Sequence, residues 1–106
     1  MRVLFDQGTP VPLRPLLSAH TVETAYERGW SQLSNGDLLS KAEADFDALV
    51  TTDKNLRYQQ NAVGSRIAIL VLPTTSWPRI QQHAEKVVAA VNALKTGEYR
   101  ELEFPV

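Results

Sequence analysis

The sequence predicts one α/β domain in which helices cover both faces of a mainly parallel sheet. Three observations carry this. Short apolar runs alternate with amphipathic segments along the chain, the pattern of strands joined by right-handed helical crossovers. Ile67 to Leu72 is six consecutive apolar residues stopped by Pro73, as a strand buried on both faces requires. A chain of 106 residues is enough for one modest core and has no room for a second. Residues 1–106 therefore read as a single domain, with no repeat, low-complexity stretch or linker.

Val3-Leu4-Phe5 is an apolar run ending abruptly in Asp6-Gln7-Gly8, a strand followed by a turn. Pro12 to Ala19 reads as a short helix, with Pro12 in its first turn and Leu13, Leu16 and Leu17 on one side. Pro15 sits awkwardly inside it. His20 to Thr24 is β-branched and short, a second strand, and Ala25 to Arg28 is a helical turn stopped at Gly29. Ser34-Asn35-Gly36-Asp37 starts a helix: either Ser34 or Asn35 can cap it, Asp37 sits in the positive first turn, and Leu38, Leu39, Ala42 and Phe46 form the apolar stripe. Ala48 to Thr52 is a strand that again ends in an aspartate, Asp53. A polar loop, Lys54 to Ser65, precedes the Ile67 run. Trp77 to Leu94 carries apolar residues at unbroken helical spacing, and Tyr99 to Phe104 alternates as an edge strand does.

Composition narrows the chemistry. Apolar residues at 43% and charged residues at 22% argue against disorder. With no cysteine, disulfides, thiolate zinc sites and cysteine nucleophiles are excluded, which fits a reducing, cytoplasmic setting. The opening MRVLFDQGTPVP has too short an apolar run for a signal peptide, and no segment approaches a membrane span. The net charge of −1 hides an asymmetry: residues 1–53 are acidic, whereas between Lys54 and Ala84 there is no acid and Lys54, Arg57, Arg66 and Arg79 occur. An acidic half to hold a cation beside a basic stretch to hold phosphates suits a nuclease.

In open parallel sheets ligands bind beyond the carboxyl ends of the strands. Asp6 and Asp53 each stand immediately past a strand, so if those strands are neighbours the two carboxylates lie side by side. Asp37 or Asn35, at a helix start on the same side, can join them. Clustered carboxylates repel unless a proton or a cation intervenes. A hard cation such as Mg²⁺ or Mn²⁺ takes one or two carboxylates, waters and phosphate oxygens, and would activate water for in-line displacement at phosphorus. Thr51 and Thr52 are placed to orient a carboxylate or the attacking water. Lys54, Arg57 and Tyr58, in a loop rich in amides, offer cations and a stacking ring to single-stranded RNA. Each residue also has a plainer role: Asp6 and Asp53 as turn formers, Asn35 and Asp37 as cap and dipole partner, and Arg57 and Tyr58 as solvated loop. Glu43, Asp45 and Asp47 read as a solvated face. His20 and His83 have no spacing that makes them ligands.

The series LFDQGTPVPLRPLL, HTVETAYERGW, LSNGDLLSKAEADFD, LVTTDKNLRYQQN and IAILVLP resembles a family of small bacterial PIN-like proteins over nearly the whole chain. That family is related to the VapC-type toxin ribonucleases and is taken to supply the toxin half of toxin–antitoxin pairs. The resemblance implies a three-layer α/β/α sandwich, and an acidic cluster that binds Mg²⁺ or Mn²⁺ and cleaves RNA. Asp6 matches the first acid of that cluster and Asp53 the aspartate of its threonine-x-aspartate motif. The middle acid falls on Asn35, with Asp37 two residues later. Gln7 stands where an acid commonly follows the first, and no carboxylate follows Asp53 until Glu85. The partners implied are RNA, a small antitoxin protein and a second copy of the chain, with no membrane.

Three functions compete at this stage: a metal-dependent ribonuclease, a catalytically weakened PIN-like module that binds RNA or protein, and a receiver-like phosphoacceptor. The third needs two acids after its first strand and a lysine after its last core strand, and those places read Asp6-Gln7 and Pro73-Thr74.

Overall fold

The structure, a computed structural model, describes residues 1–58 and 66–105, with the side chains of Arg57 and Tyr58 outside the description. Among the described residues five strands form one sheet: β1 (Arg2–Phe5), β2 (Thr21–Thr24), β3 (Ala48–Thr51), β4 (Ala68–Val71) and β5 (Tyr99–Glu101). Every pairing is parallel and the order is β2-β1-β3-β4-β5. The mainly parallel sheet expected from the sequence is thus wholly parallel among the described residues. β5 lies at one edge, as its alternating pattern predicts, and the more exposed β2 at the other.

Alternation along the strands divides the core between two faces. Leu4, Leu49, Ile69 and Val71 point to one face, where Leu38, Leu39, Ala42 and Phe46 of helix α1 (Asn35–Asp45) and its end cover them. Val3, Phe5, Val50 and Leu70 point to the other. There they meet Leu13 and Leu17 of a 3-10 helix (Val11–Leu17), Ile80 of α2 (Trp77–Gln82), and Val87, Ala90 and Val91 of α3 (Ala84–Ala93). A sheet buried on both faces needs strands that are apolar throughout, and β3 and β4 are buried at every position.

Two elements differ from the sequence expectation. The segment before β2 is a 3-10 helix, because Pro15 inside it lacks the amide that an α-helical ladder needs. The long helix expected over Trp77 to Leu94 is two, broken at His83, whose backbone (φ −120°, ψ 26°) leaves the helical region. The His83 ring stacks on Phe104, centroids 4.5 Å apart. The polar loop after Asp53 begins as a second 3-10 helix (Lys54–Tyr58) with Leu56 buried beneath it.

Glu43, Asp45 and Asp47 are not the freely solvated face the sequence suggested. Asp47 accepts from the Arg2 amide at 2.8 Å, Glu43 from the Arg66 amide at 3.1 Å, and Asp45 pairs with Arg28. Arg2 and Arg28 also lie over the Phe46 ring, with guanidinium carbons 5.3 and 4.9 Å from its centroid. This network ties the C-terminal end of α1 to β2 and to the amino rim of the sheet. Among the described residues no helix is long and apolar enough to cross a membrane.

Candidate functional site

Strands β1 and β3 are hydrogen-bonded neighbours, with Phe5 in register with Val50. Asp6 and Asp53 therefore leave the same carboxyl rim from adjacent strands. The chain runs to β2 on one side of β1 and to β3 on the other, so this rim is the topological switch point of the sheet, where two connections diverge and leave a crevice.

Each carboxylate is held in two ways. Asp6 Oδ1 accepts the Gly8 amide at 3.2 Å, closing its own turn, and the Thr9 hydroxyl at 2.8 Å, while Oδ2 accepts the Thr51 hydroxyl. Asp53 Oδ1 accepts the Asn55 amide at 2.9 Å, starting the 3-10 helix behind it, and Oδ2 accepts the Asn35 side-chain amide. Both aspartates thus use one oxygen as a turn former and offer the other across the fold; the plain and the functional readings coexist. Thr51 links them: its oxygen donates to Asp6 and accepts the Asp53 amide at 3.1 Å. That hydroxyl belongs to a residue only 1% exposed, so its geometry is set by the strand. A carboxylate has about four lone-pair sites, of which Asp6 fills three and Asp53 two in these contacts.

Burial pushes the Asp6 carboxyl above its ordinary value, and the charge of Asp53 adds to the push; hydrogen bonds from Thr51, Thr9 and Gly8 hold it partly back.

The two candidates for the third position are placed differently. Asn35 reaches Asp53, whereas Asp37 is exposed and its backbone amide is capped by Ser34. The two residues lie two positions apart on α1, about 200° around its axis, so one facing the sheet rim turns the other outward. Among the described residues no group of three or more His, Cys, Asp or Glu side chains comes together to hold a metal ion. The cluster of Asp6, Asp53 and Asp37 expected from the sequence is therefore two carboxylates and an amide.

Of the supporting residues, Thr51 donates its hydroxyl to Asp6. Thr52 lies against Gly8: a Cβ there would stand 2.5 Å from Thr52 Oγ1. Lys54 is exposed directly after Asp53. The expected RNA contacts of Arg57 and Tyr58 fall outside the described side chains. Arg66 precedes β4 and lies at the amino rim, away from the aspartates, whereas Arg79 follows the carboxyl end of β4. Thr9 escaped the sequence reading. It is 4% exposed, and its hydroxyl is 2.8 Å from both Asp6 and the Val50 carbonyl. The sequence cue is an aspartate followed two and three residues later by glycine and threonine, an Asx turn whose fourth residue folds back on the first.

This sequence matches no family model, no curated protein and no solved structure.

Proposed function

We propose that this rim is the active site of a metal-dependent ribonuclease of PIN-like type that cleaves single-stranded RNA. The observation that carries the reading is the meeting of Asp6 and Asp53 at the switch point, bridged by the Thr51 hydroxyl. The donor set fits a hard cation: two carboxylates with lone pairs to spare, all oxygen, with no soft ligand and with the Asn35 side-chain amide holding one of them. Asp6 and Asp53 would hold Mg²⁺ or Mn²⁺. When bound there, the ion lowers the pKa of water and steadies the charge of an in-line displacement at phosphorus.

The chain's own groups do the rest. Thr51 and Thr9 fix the Asp6 carboxylate in one rotamer, and Asn35 fixes Asp53. Positioning of this kind is what a displacement with little covalent chemistry for the protein demands. Lys54 adds a cation beside Asp53 for the phosphate backbone, and the Asp6 charge that burial disfavours is the one a cation would compensate. A small protein that silences the enzyme, and a homodimer, belong to this reading through the family resemblance.

Purified chain incubated with Mn²⁺ or Mg²⁺ is expected to cleave single-stranded RNA, and Asp6→Asn or Asp53→Asn to lower the rate at least about 100-fold, as loss of a principal electrostatic group does. Activity that survives both substitutions removes the reading.

The pairing of only two carboxylates with Asn35 favours one other reading, a PIN-like module that binds RNA or protein without turnover. Calorimetry showing RNA bound and no divalent cation bound would select it. The strand order is also that of receiver-like folds, but neither Pro73-Thr74 beyond β4 nor Leu102-Glu103-Phe104-Pro105 beyond β5 supplies the lysine that phosphoacceptor chemistry needs.

A further inference from the structure

Beside the carboxylates a groove of about 410 Å³ runs from Asp6 past Gln7, Thr9 and Arg14 to Tyr26 and Glu27. We propose that it seats one nucleotide of single-stranded RNA, its base stacked on Tyr26 and its phosphate turned toward Asp6 and Asp53; this rests on the ribonuclease reading.

Position comes first. Phe5 and Thr24 are in register on adjacent strands, and the Ala25 amide donates to the Phe5 carbonyl at 2.8 Å. Asp6 and Tyr26 thus follow paired strand ends by one and two residues, on strands about 5 Å apart. Across the rim the order is Tyr26, Asp6, Asp53, so a strand crossing the carboxylates passes over the tyrosine.

The ring is offered on a rigid support. Tyr26 is 81% exposed, yet the turn that carries it is bonded throughout. Thr24 and Glu27 form a reciprocal capping box, with the Thr24 amide 2.9 Å from Glu27 Oε1 and the Glu27 amide 3.1 Å from Thr24 Oγ1. Trp30 N donates to the Ala25 carbonyl at 2.8 Å around Gly29, whose φ of 75° ends the turn. Arg14 grips both oxygens of Glu27 at 2.8 and 3.3 Å. An aromatic open to solvent on a backbone already ordered is a stacking platform that leaves only its own side-chain rotation to be ordered.

Charge sets the direction of the nucleotide. Glu27 neutralises Arg14, the cation at the far end of the groove, so phosphate is drawn there only weakly, while a cation at the aspartates would draw it to the other end. Sugar and base are left for the Tyr26 side, where Gln7, exposed, offers both a donor and an acceptor to a base edge.

The test uses an Asp53→Asn chain, which lacks cleavage on the reading above and is altered outside the groove. Short fluorescent single-stranded RNAs are titrated into it with and without Tyr26→Ala or Tyr26→Phe, thermal melts confirming the fold. Tyr26→Ala should weaken binding about ten-fold, the loss of one stacked base, and Tyr26→Phe by less than about two-fold. An abasic strand of equal length should bind equally well whether or not the Tyr26→Ala change is present. Unchanged binding on Tyr26→Ala, or an equal loss on the abasic strand, overturns the inference. If the unaltered chain meanwhile cleaves RNA with Mn²⁺, the ribonuclease reading stands without the groove. Tyr26-dependent binding with no cleavage by the unaltered chain leaves the groove to the non-catalytic reading, and absence of both binding and cleavage ends both.

Discussion

The Thr51 hydroxyl donates to Asp6 while the same oxygen accepts the amide of Asp53, so one buried side chain sets the positions of both aspartates. A hydroxyl has a single proton and can serve only one acceptor; here it serves the carboxylate. Thr51→Val keeps the shape and strips both bonds. It is expected to lower stability by about 2 kcal/mol at neutral pH, since a bond to a charged group is lost and the part-buried Asp53 amide loses its partner. Thr51→Ser should recover most of that. Urea titrations of the three chains measure it, and a Thr51→Val chain as stable as the parent would show that the link carries no energy.

Asp6 supplies a prediction in pH. Its folded pKa is raised above 3.8 chiefly by burial, so the folded state holds the proton more tightly than the unfolded chain. Stability contributed by this group is full below the unfolded value and falls as pH rises through the raised folded value. Asp6→Asn removes the titration and should stabilise the cation-free protein at pH 7, an advantage that shrinks as pH falls through the raised folded value toward the ordinary carboxylate range. A site that costs stability in this way is expected where function, rather than folding, selects the residue. Denaturation midpoints across that pH range decide it; an Asp6→Asn chain less stable than the parent at neutral pH contradicts the sign.

What the sequence made legible follows from where the physics is local. Asp6 and Asp53 could be found because a parallel strand ends abruptly and its next residue faces the ligand-binding rim, and the stripe of Leu38, Leu39, Ala42 and Phe46 because its helical spacing reports burial directly. The break at His83 was not legible: nothing in Trp77 to Leu94 interrupts the periodicity, and the ring that His83 meets, Phe104, lies beyond another strand. Nor could spacing choose between Asn35 and Asp37, because the choice depends on how α1 is rotated against the sheet. The roles of Glu43, Asp45 and Asp47 were hidden for a similar reason, since their partners Arg66, Arg28 and Arg2 are distant in sequence. Tyr26 drew no notice because exposure of a single aromatic is ordinary; only the groove beside Asp6 gives it meaning.

Two glycines separate backbone strain from site geometry. Gly29 has φ 75° and open space around it, so Gly29→Ala should cost about 1 kcal/mol of stability through backbone strain alone. Gly8 has no such torsion, but a Cβ would meet Thr52 Oγ1 at 2.5 Å and Asp6 Oδ1 at 3.9 Å. Gly8→Ala should therefore move Thr52 and disturb the Asp6 turn, lowering RNA cleavage more than its effect on the melting temperature explains. Equal loss of activity in the two variants, after correction for stability, would deny Gly8 a role at the site.

Asn35 offers the sharpest test of the cation. Its amide donates to Asp53, where a carboxylate would instead bring a third negative charge to the rim. Asn35→Asp loses that bond and adds repulsion, so without divalent cations it should lower stability by about 1–3 kcal/mol. With Mn²⁺ the sign reverses, because affinity for a hard cation grows with the charge of its ligands. The Asn35→Asp chain should bind Mn²⁺ about ten-fold more tightly than the parent, and its melting temperature should rise further on adding the ion, by simple mass action. Asp37→Asn, on the outward side of the same helix, should change neither quantity. Calorimetry and melts of the three chains with and without Mn²⁺ supply the comparison. If the Asn35→Asp chain is destabilised and Mn²⁺ does nothing to restore it, the two aspartates are a structural pair, and the rim holds no cation.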